Sequence, residues 1–246
     1  MTTIDVAVPT PDGSSPSSLH VPDGDGPWPG AILYPDAGST REVFRQMGER
    51  LAAAGYVVLV PDVYYRAGAY EPFSIATAFT DPDERKRLGQ MAGALTVERI
   101  VADAAAYVAF LHTRPEVGDG PVGTTGYCMG GRTSLLAAGH LGDQVGAAAA
   151  FHGGGLAVDG DPGSPHLLAP SIRAAVYVAA AENDEHFGAD QIARLGEAYA
   201  AAGVEHTIET YPAAHGFAVP DNPTYDEPAA ERHWSALTAL FAAHLG

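Results

Sequence analysis

Pro121-Val-Gly-Thr-Thr-Gly126-Tyr127-Cys128-Met129-Gly130-Gly131-Arg132 is the stretch on which the reading of this chain turns. Pro121 to Thr125 is a short apolar and β-branched run, predicted as a buried strand. The glycines around Cys128 break it. The residues that follow carry helical periodicity, so a helix is expected over about 129–140. A strand that turns sharply into a helix, with a cysteine at the apex, belongs to a parallel α/β architecture.

The flanking sequence repeats that alternation. Residues 4–9 and 16–21 read as an opening hairpin. Gly30 to Pro35 and Tyr56 to Val60 read as buried strands, joined by a helix over roughly 41–54 that Thr40 is placed to cap and Gly55 to end. Residues 61–80, rich in Tyr, Pro and Gly, read as a loop over the domain, and 81–94 and 96–113 as helices. Downstream of the turn come a strand at Val145–Phe151, a long glycine-bearing loop at 152–170, a strand at Ala174–Ala181, a helix at 190–202, a strand at Glu205–Tyr211 and a closing helix at 227–244. The expectation is an α/β fold, a mainly parallel sheet covered by helices on both faces, in one domain over 1–246.

Composition narrows the function. With 246 residues and 46% apolar side chains the chain can bury a full core. A formal net charge of −17 and the lack of a basic stripe argue against nucleic acid as a partner. No run of about 18 apolar residues predicts a membrane span, and the N-terminal residues lack the basic and apolar regions of a secretory signal, so a cytoplasmic location is expected. The single cysteine excludes an internal disulfide or a cysteine-rich metal site, so its position matters more than its number.

Gly126-x-Cys128-x-Gly130 fits the nucleophile-elbow pattern with cysteine in place of serine. The two glycines remove side chains from a crowded turn. The helix that starts directly behind presents free N–H groups and its positive dipole end to the sulfur, which favours the reactive thiolate. Such an elbow requires a base and an acid further along the chain, in that fold's order nucleophile, acid, histidine. His215 follows the last predicted strand, where the base belongs. The acid is sought after the strand ending at Ala181, with Asp184 and Glu182 both open. Two backbone N–H groups would form an oxyanion hole, one from Met129 and one from the loop after Pro35, where Ala37 is the choice.

Together, Gly126-Tyr-Cys-Met-Gly-Gly131, Pro61-Asp-Val-Tyr64 and His215-Gly-Phe217 resemble the dienelactone hydrolase (carboxymethylenebutenolidase) family of α/β-hydrolases. The resemblance implies the α/β-hydrolase fold and a hydrolase cleaving a small ester or lactone. It implies a Cys128–Asp184–His215 triad and neither a metal nor an organic cofactor. It also suggests Asp36 as a partner of the thiol, standing where the family often has glutamate; an Asx turn that merely organises the loop is the other reading. Enzymes acting on dienelactone have serine and a substrate-gripping arginine shortly after the histidine, where Gly216 and Val219 stand here. Arg66 or an arginine of 85–87 is the substitute considered for that grip, and Tyr64 and His152 are further pocket candidates. An acyltransferase or thioesterase with the same triad, and a non-catalytic binding protein on the same scaffold, are the alternatives. Oligomeric state is not legible.

Overall fold

The computed structural model describes residues 1–246. Eight strands form one sheet: β1 (Thr2–Thr10), β2 (Gly13–Val21), β3 (Gly30–Tyr34), β4 (Val57–Pro61), β5 (Val122–Tyr127), β6 (Val145–Phe151), β7 (Ala175–Ala181) and β8 (His206–Tyr211). Their spatial order is β1-β2-β4-β3-β5-β6-β7-β8. The opening hairpin is antiparallel, β2 pairs antiparallel with β4, and every pairing from β4 to β8 is parallel. This is the α/β-hydrolase fold the sequence predicts.

Seven helices cover the sheet: α1 (Glu42–Ala53), α2 (Ile75–Ala78), α3 (Pro82–Gly93), α4 (Val97–His112), α5 (Met129–Leu141), α6 (Ala189–Ala202) and α7 (Glu227–His244). On one face Phe44, Met47 and Leu51 of α1 and Trp234, Leu237 and Phe241 of α7 pack with Tyr127 and Phe151. On the other, Tyr107 and Leu111 of α4, Leu135 of α5 and Leu195 and Tyr199 of α6 bury the alternate side chains of the same strands. The central strands are buried on both sides, so they read as unbroken runs of small and aliphatic residues instead of alternating ones. β6 carries four alanines in a row, and small side chains let helices approach it closely.

Three local expectations are corrected. Thr40 does not cap α1: Arg41 occupies the cap position and no side chain accepts from the first turn. Residues 61–80 are not wholly loop, since they contain a 3₁₀ turn at Tyr65–Ala67 and the single-turn α2. β5 runs two residues past Thr125, carrying Tyr127 to the edge of the turn. By contrast, Asp81 caps α3 by accepting from the Asp83 and Glu84 N–H groups, and Pro82 sits at the first helical position, where its missing N–H costs nothing.

Candidate active site

Cys128 stands between β5 and α5 with φ 53° and ψ −115°, a conformation a non-glycine residue adopts only when its surroundings impose it. The surroundings here are the two glycines. A Cβ on Gly126 would lie 2.0 Å from the Gly130 carbonyl oxygen, and a Cβ on Gly130 would lie 2.3 Å from the carbonyl oxygen of Tyr34. The turn closes because both positions lack a side chain. That same closeness seats the first turn of α5 directly against the end of β3, where the Ala37 loop begins.

His215 lies in the loop between β8 and α7. Its Nδ1–H donates to Asp184 Oδ2 at 2.7 Å, which leaves Nε2 free for the thiol, and Cys128 and His215 line the same cavity. Asp184 follows β7 and its side chain is 1% exposed. Its second oxygen accepts from the His186 N–H at 2.9 Å, so both oxygens are satisfied. Burial alone would push the His215 pKa down, but the hydrogen bond to Asp184, the neighbouring Cys128 and the Asp184 charge push it up to about 10. Burial likewise opposes ionisation of Asp184, and the hydrogen bond from His215 outweighs it, holding the carboxyl below its ordinary range. Glu182, the other open candidate, is exposed; only its backbone N–H is engaged, to the Ala213 carbonyl.

The oxyanion loop is pinned on both sides of Ala37. Asp36 Oδ1 accepts from the Gly38 N–H at 2.8 Å, and the Ala37 carbonyl accepts from the Tyr64 hydroxyl at 2.8 Å. Tyr64 is buried, which raises its pKa and keeps it a donor, and its hydroxyl also reaches the Met129 sulfur at 3.6 Å. One side chain therefore touches both residues whose N–H groups are the candidate oxyanion donors. Met129 is the first residue of α5, so its N–H has no partner within the helix.

Asp36 is buried, and its carboxylate receives Arg41 in a bidentate pair, 2.7 and 3.0 Å, in addition to Gly38. No hydrogen bond joins it to the thiol. The loop-organising reading of Asp36 is the one the contacts carry. Arg41 also donates to Asp221 at 2.8 and 2.9 Å, so one guanidinium ties the Ala37 loop to the segment that follows His215. No pattern in the sequence signals this tie, because its members are 180 residues apart.

Cys128, His215, Asp36, Ala37 and His152 line one small cavity. Ile75, Phe79, Gly216 and Asn222 complete its wall. His152 follows β6 with φ 39°, is 1% exposed, and neither of its ring nitrogens has a hydrogen-bond partner. Its ring packs edge-on against His215, centroids 5.0 Å apart, and against Phe217 at 5.1 Å. Burial, and then the neighbouring His215, depress its pKa well below the ordinary histidine range, so it is neutral.

Arg66 is not in this cavity. It lies in a neighbouring apolar hollow with Met91 and Leu95, where Asp103 holds it bidentately at 2.6 and 2.8 Å and Asp12 at 2.7 Å. A guanidinium saturated in this way cannot reach over to grip a substrate at Cys128. Arg87 is likewise occupied, by Glu84 and the Glu71 carbonyl, with its guanidinium over the Phe73 ring.

Comparison with known proteins bears on the family and the fold. Residues 17–245 match the model of the Dienelactone hydrolase family. The chain belongs to that family. Relatives named "Putative carboxymethylenebutenolidase" occur in Methylorubrum extorquens, 27% identical over 96% of this chain and 79% of theirs, and in Escherichia coli K12, 27% identical over 90% and 79%. Among solved structures, a dienelactone hydrolase from Anabaena variabilis superposes with a TM-score of 0.68 at 19% identity, covering 100% of this chain and 99% of its own, which speaks for the shared fold. A metagenomic structure titled as a dienelactone hydrolase-like promiscuous phosphotriesterase superposes at 0.77 with 24% identity, covering all of both chains. As a dienelactone hydrolase family member the protein is a hydrolase of the carboxylic-ester class. None of its helices is long and apolar enough to cross a membrane.

Proposed function

We propose that the protein hydrolyses a small carboxylic ester or lactone by covalent catalysis at Cys128, with His215 as acid and base and Asp184 as the group that orients it. The observation that carries this reading is the Asp184–His215 hydrogen bond set in one cavity with Cys128, which stands at a strained elbow.

The raised pKa of His215 makes its ring a strong base toward Cys128, and Nε2 takes the thiol proton as the thiolate forms. The thiolate attacks the carbonyl carbon. The N–H groups of Met129 and Ala37 receive the oxyanion, held in place by Tyr64 and by the helix start of α5. Collapse breaks the acyl–oxygen bond, and the leaving alkoxide takes the proton from His215 Nε2. The acyl group now rests on sulfur as a thioester. Neutral His215 then removes a proton from water, the hydroxide adds to the thioester, and the thiolate leaves as its partner imidazolium re-forms. Asp184 holds the ring in the tautomer that presents Nε2 and stabilises the cation at both stages. Because a thiolate leaves readily, the first tetrahedral adduct reverts easily, which favours esters and lactones with good leaving groups, such as enol lactones, over amides.

The test is turnover of a panel of aryl esters and enol lactones by wild type, by Cys128→Ala and by iodoacetamide-treated protein. Loss of turnover in both controls is expected. Turnover that survives either one would remove Cys128 from the chemistry.

A further inference from the structure

We propose that this active site takes an uncharged ester or lactone and turns away acyl groups that carry a carboxylate. The inference rests on the reading of Cys128 as nucleophile and adds the charge class of its substrate.

The cavity wall holds no lysine or arginine. Its one fixed charge outside the Cys128–His215 couple is the Asp36 carboxylate, which is buried at the cavity beside the Ala37 loop. Arg41 does not cancel it for a ligand. Its guanidinium is 7% exposed and already spans two carboxylates, Asp36 and Asp221, and it also donates to the Ser39 carbonyl. One cation between two anions leaves the cluster at −1. Transfer of the thiol proton from Cys128 to His215 creates one charge of each sign and adds no net charge. His152 adds no charge, since it is buried against His215 and neutral. The remaining wall is apolar or amide: Ala37, Ile75, Phe79, Gly216 and Asn222.

An anionic acyl group entering this space meets a like charge and finds no free cation. Two like unit charges about 6 Å apart, at an effective dielectric of about 20, repel by enough to lower association about a hundredfold. The carboxylate would also lose its hydration without replacement. An uncharged lactone bears neither cost.

Two matched pairs test this, both in about 0.5 M NaCl. At that salt the field of the whole molecule, set by its net charge of −17, is screened, whereas a buried charge is screened much less. The first pair is an enol lactone bearing a carboxymethylene arm, as free carboxylate and as methyl ester. The methyl ester is expected to show a kcat/KM about a hundredfold higher. In Asp36→Asn the ratio should shrink at least tenfold, and in Asp221→Asn, which frees one side of Arg41 at a half-exposed position, it should shrink as well.

The second pair needs no turnover. Cys128 is the only thiol, so its alkylation by iodoacetamide and by iodoacetate compares a neutral with an anionic reagent at the same atom. Relative to the unfolded chain, the folded protein should prefer iodoacetamide at least tenfold. Equal or reversed preference in both pairs overturns the proposal and leaves the cysteine hydrolase intact. Selective alkylation without turnover of any lactone or ester leaves the charge selection standing and overturns the hydrolytic reading. A thiol inert to both reagents in the folded protein overturns both.

Discussion

Glu182 and Asp184 stand two residues apart on one turn, and their sequence context does not separate them. Burial does. Asp184 is enclosed and spends both oxygens on His215 and the His186 backbone, whereas the Glu182 side chain meets solvent. Asp184→Asn should therefore lower kcat about 10³–10⁴-fold, the range seen when a triad carboxylate becomes an amide and the imidazole takes the wrong tautomer. Glu182→Gln should stay within about twofold, because exposed charges away from the reacting atoms contribute little. Steady-state kinetics on a single activated ester decides this, and equal losses in the two variants would show that the acid has been assigned wrongly. The candidate nucleophile and base are legible as candidates at this scale because their local patterns, the two glycines and the position after the last strand, are set by backbone geometry. Asp36 was half legible. Its sequence position gives the Asx contact to Gly38, but nothing local foretells a bidentate Arg41 that takes up the rest of its carboxylate.

At the scale of elements, the site depends on how closely α5, β3 and the Tyr64 segment approach one another. The parallel sheet and its helices were legible from periodicity and breakers, and the elements around β5 follow the predicted order. The brace of Tyr64 on Ala37 was not legible as such. Tyr64 could be marked as a pocket candidate from its place after β4, yet its hydroxyl contacts come from residues 27 and 65 positions away. Two substitutions separate packing from bracing. Gly130→Ala places a Cβ within 2.3–2.4 Å of two backbone oxygens and forces α5 away from β3. It should lower stability by several kcal/mol, on the order of the overpacking and strain costs of a close backbone contact, measured as a fall in the urea midpoint. Tyr64→Phe removes only a hydroxyl. The fold should lose about 1 kcal/mol, while kcat falls roughly tenfold with KM nearly unchanged, since an oxyanion donor acts mainly in the transition state. If kcat holds and only stability drops, Tyr64 is packing and not a brace.

Over the whole molecule, the histidines divide into two populations with opposite responses to pH. His20 and His233 are buried and hydrogen-bonded as neutral rings, His20 to Thr3 and Ser18 and His233 to Tyr127 and the Ala230 carbonyl. Burial lowers the His20 pKa to about 4 and that of His233 to about 3. Below the unfolded value of about 6.5 the unfolded chain binds protons that the folded one refuses, so their stabilisation is present above pH 6.5 and drains away as pH falls through the folded pKa values. His215 works the other way. Its pKa is raised to about 10, so the folded chain holds a proton that the unfolded chain releases. The stabilisation from His215 is complete below pH 6.5 and declines as pH rises toward 10. Each group contributes a slope of up to about 1.4 kcal/mol per pH unit within its window. Urea midpoints across pH 3 to 10 should therefore pass through a maximum near pH 6.5. Two variants isolate the limbs. His20→Gln keeps a side chain able to bond Ser18 and Thr3 but does not titrate, so it should reduce the slope of the acid limb to the share of His233 and leave the alkaline one. Asp184→Asn lowers the His215 pKa and should flatten the alkaline limb, while on the acid side it removes only the contribution of the Asp184 carboxylate at the lowest pH. An alkaline limb of unchanged slope in Asp184→Asn would mean that the charge on His215 does not come from its pairing with Asp184.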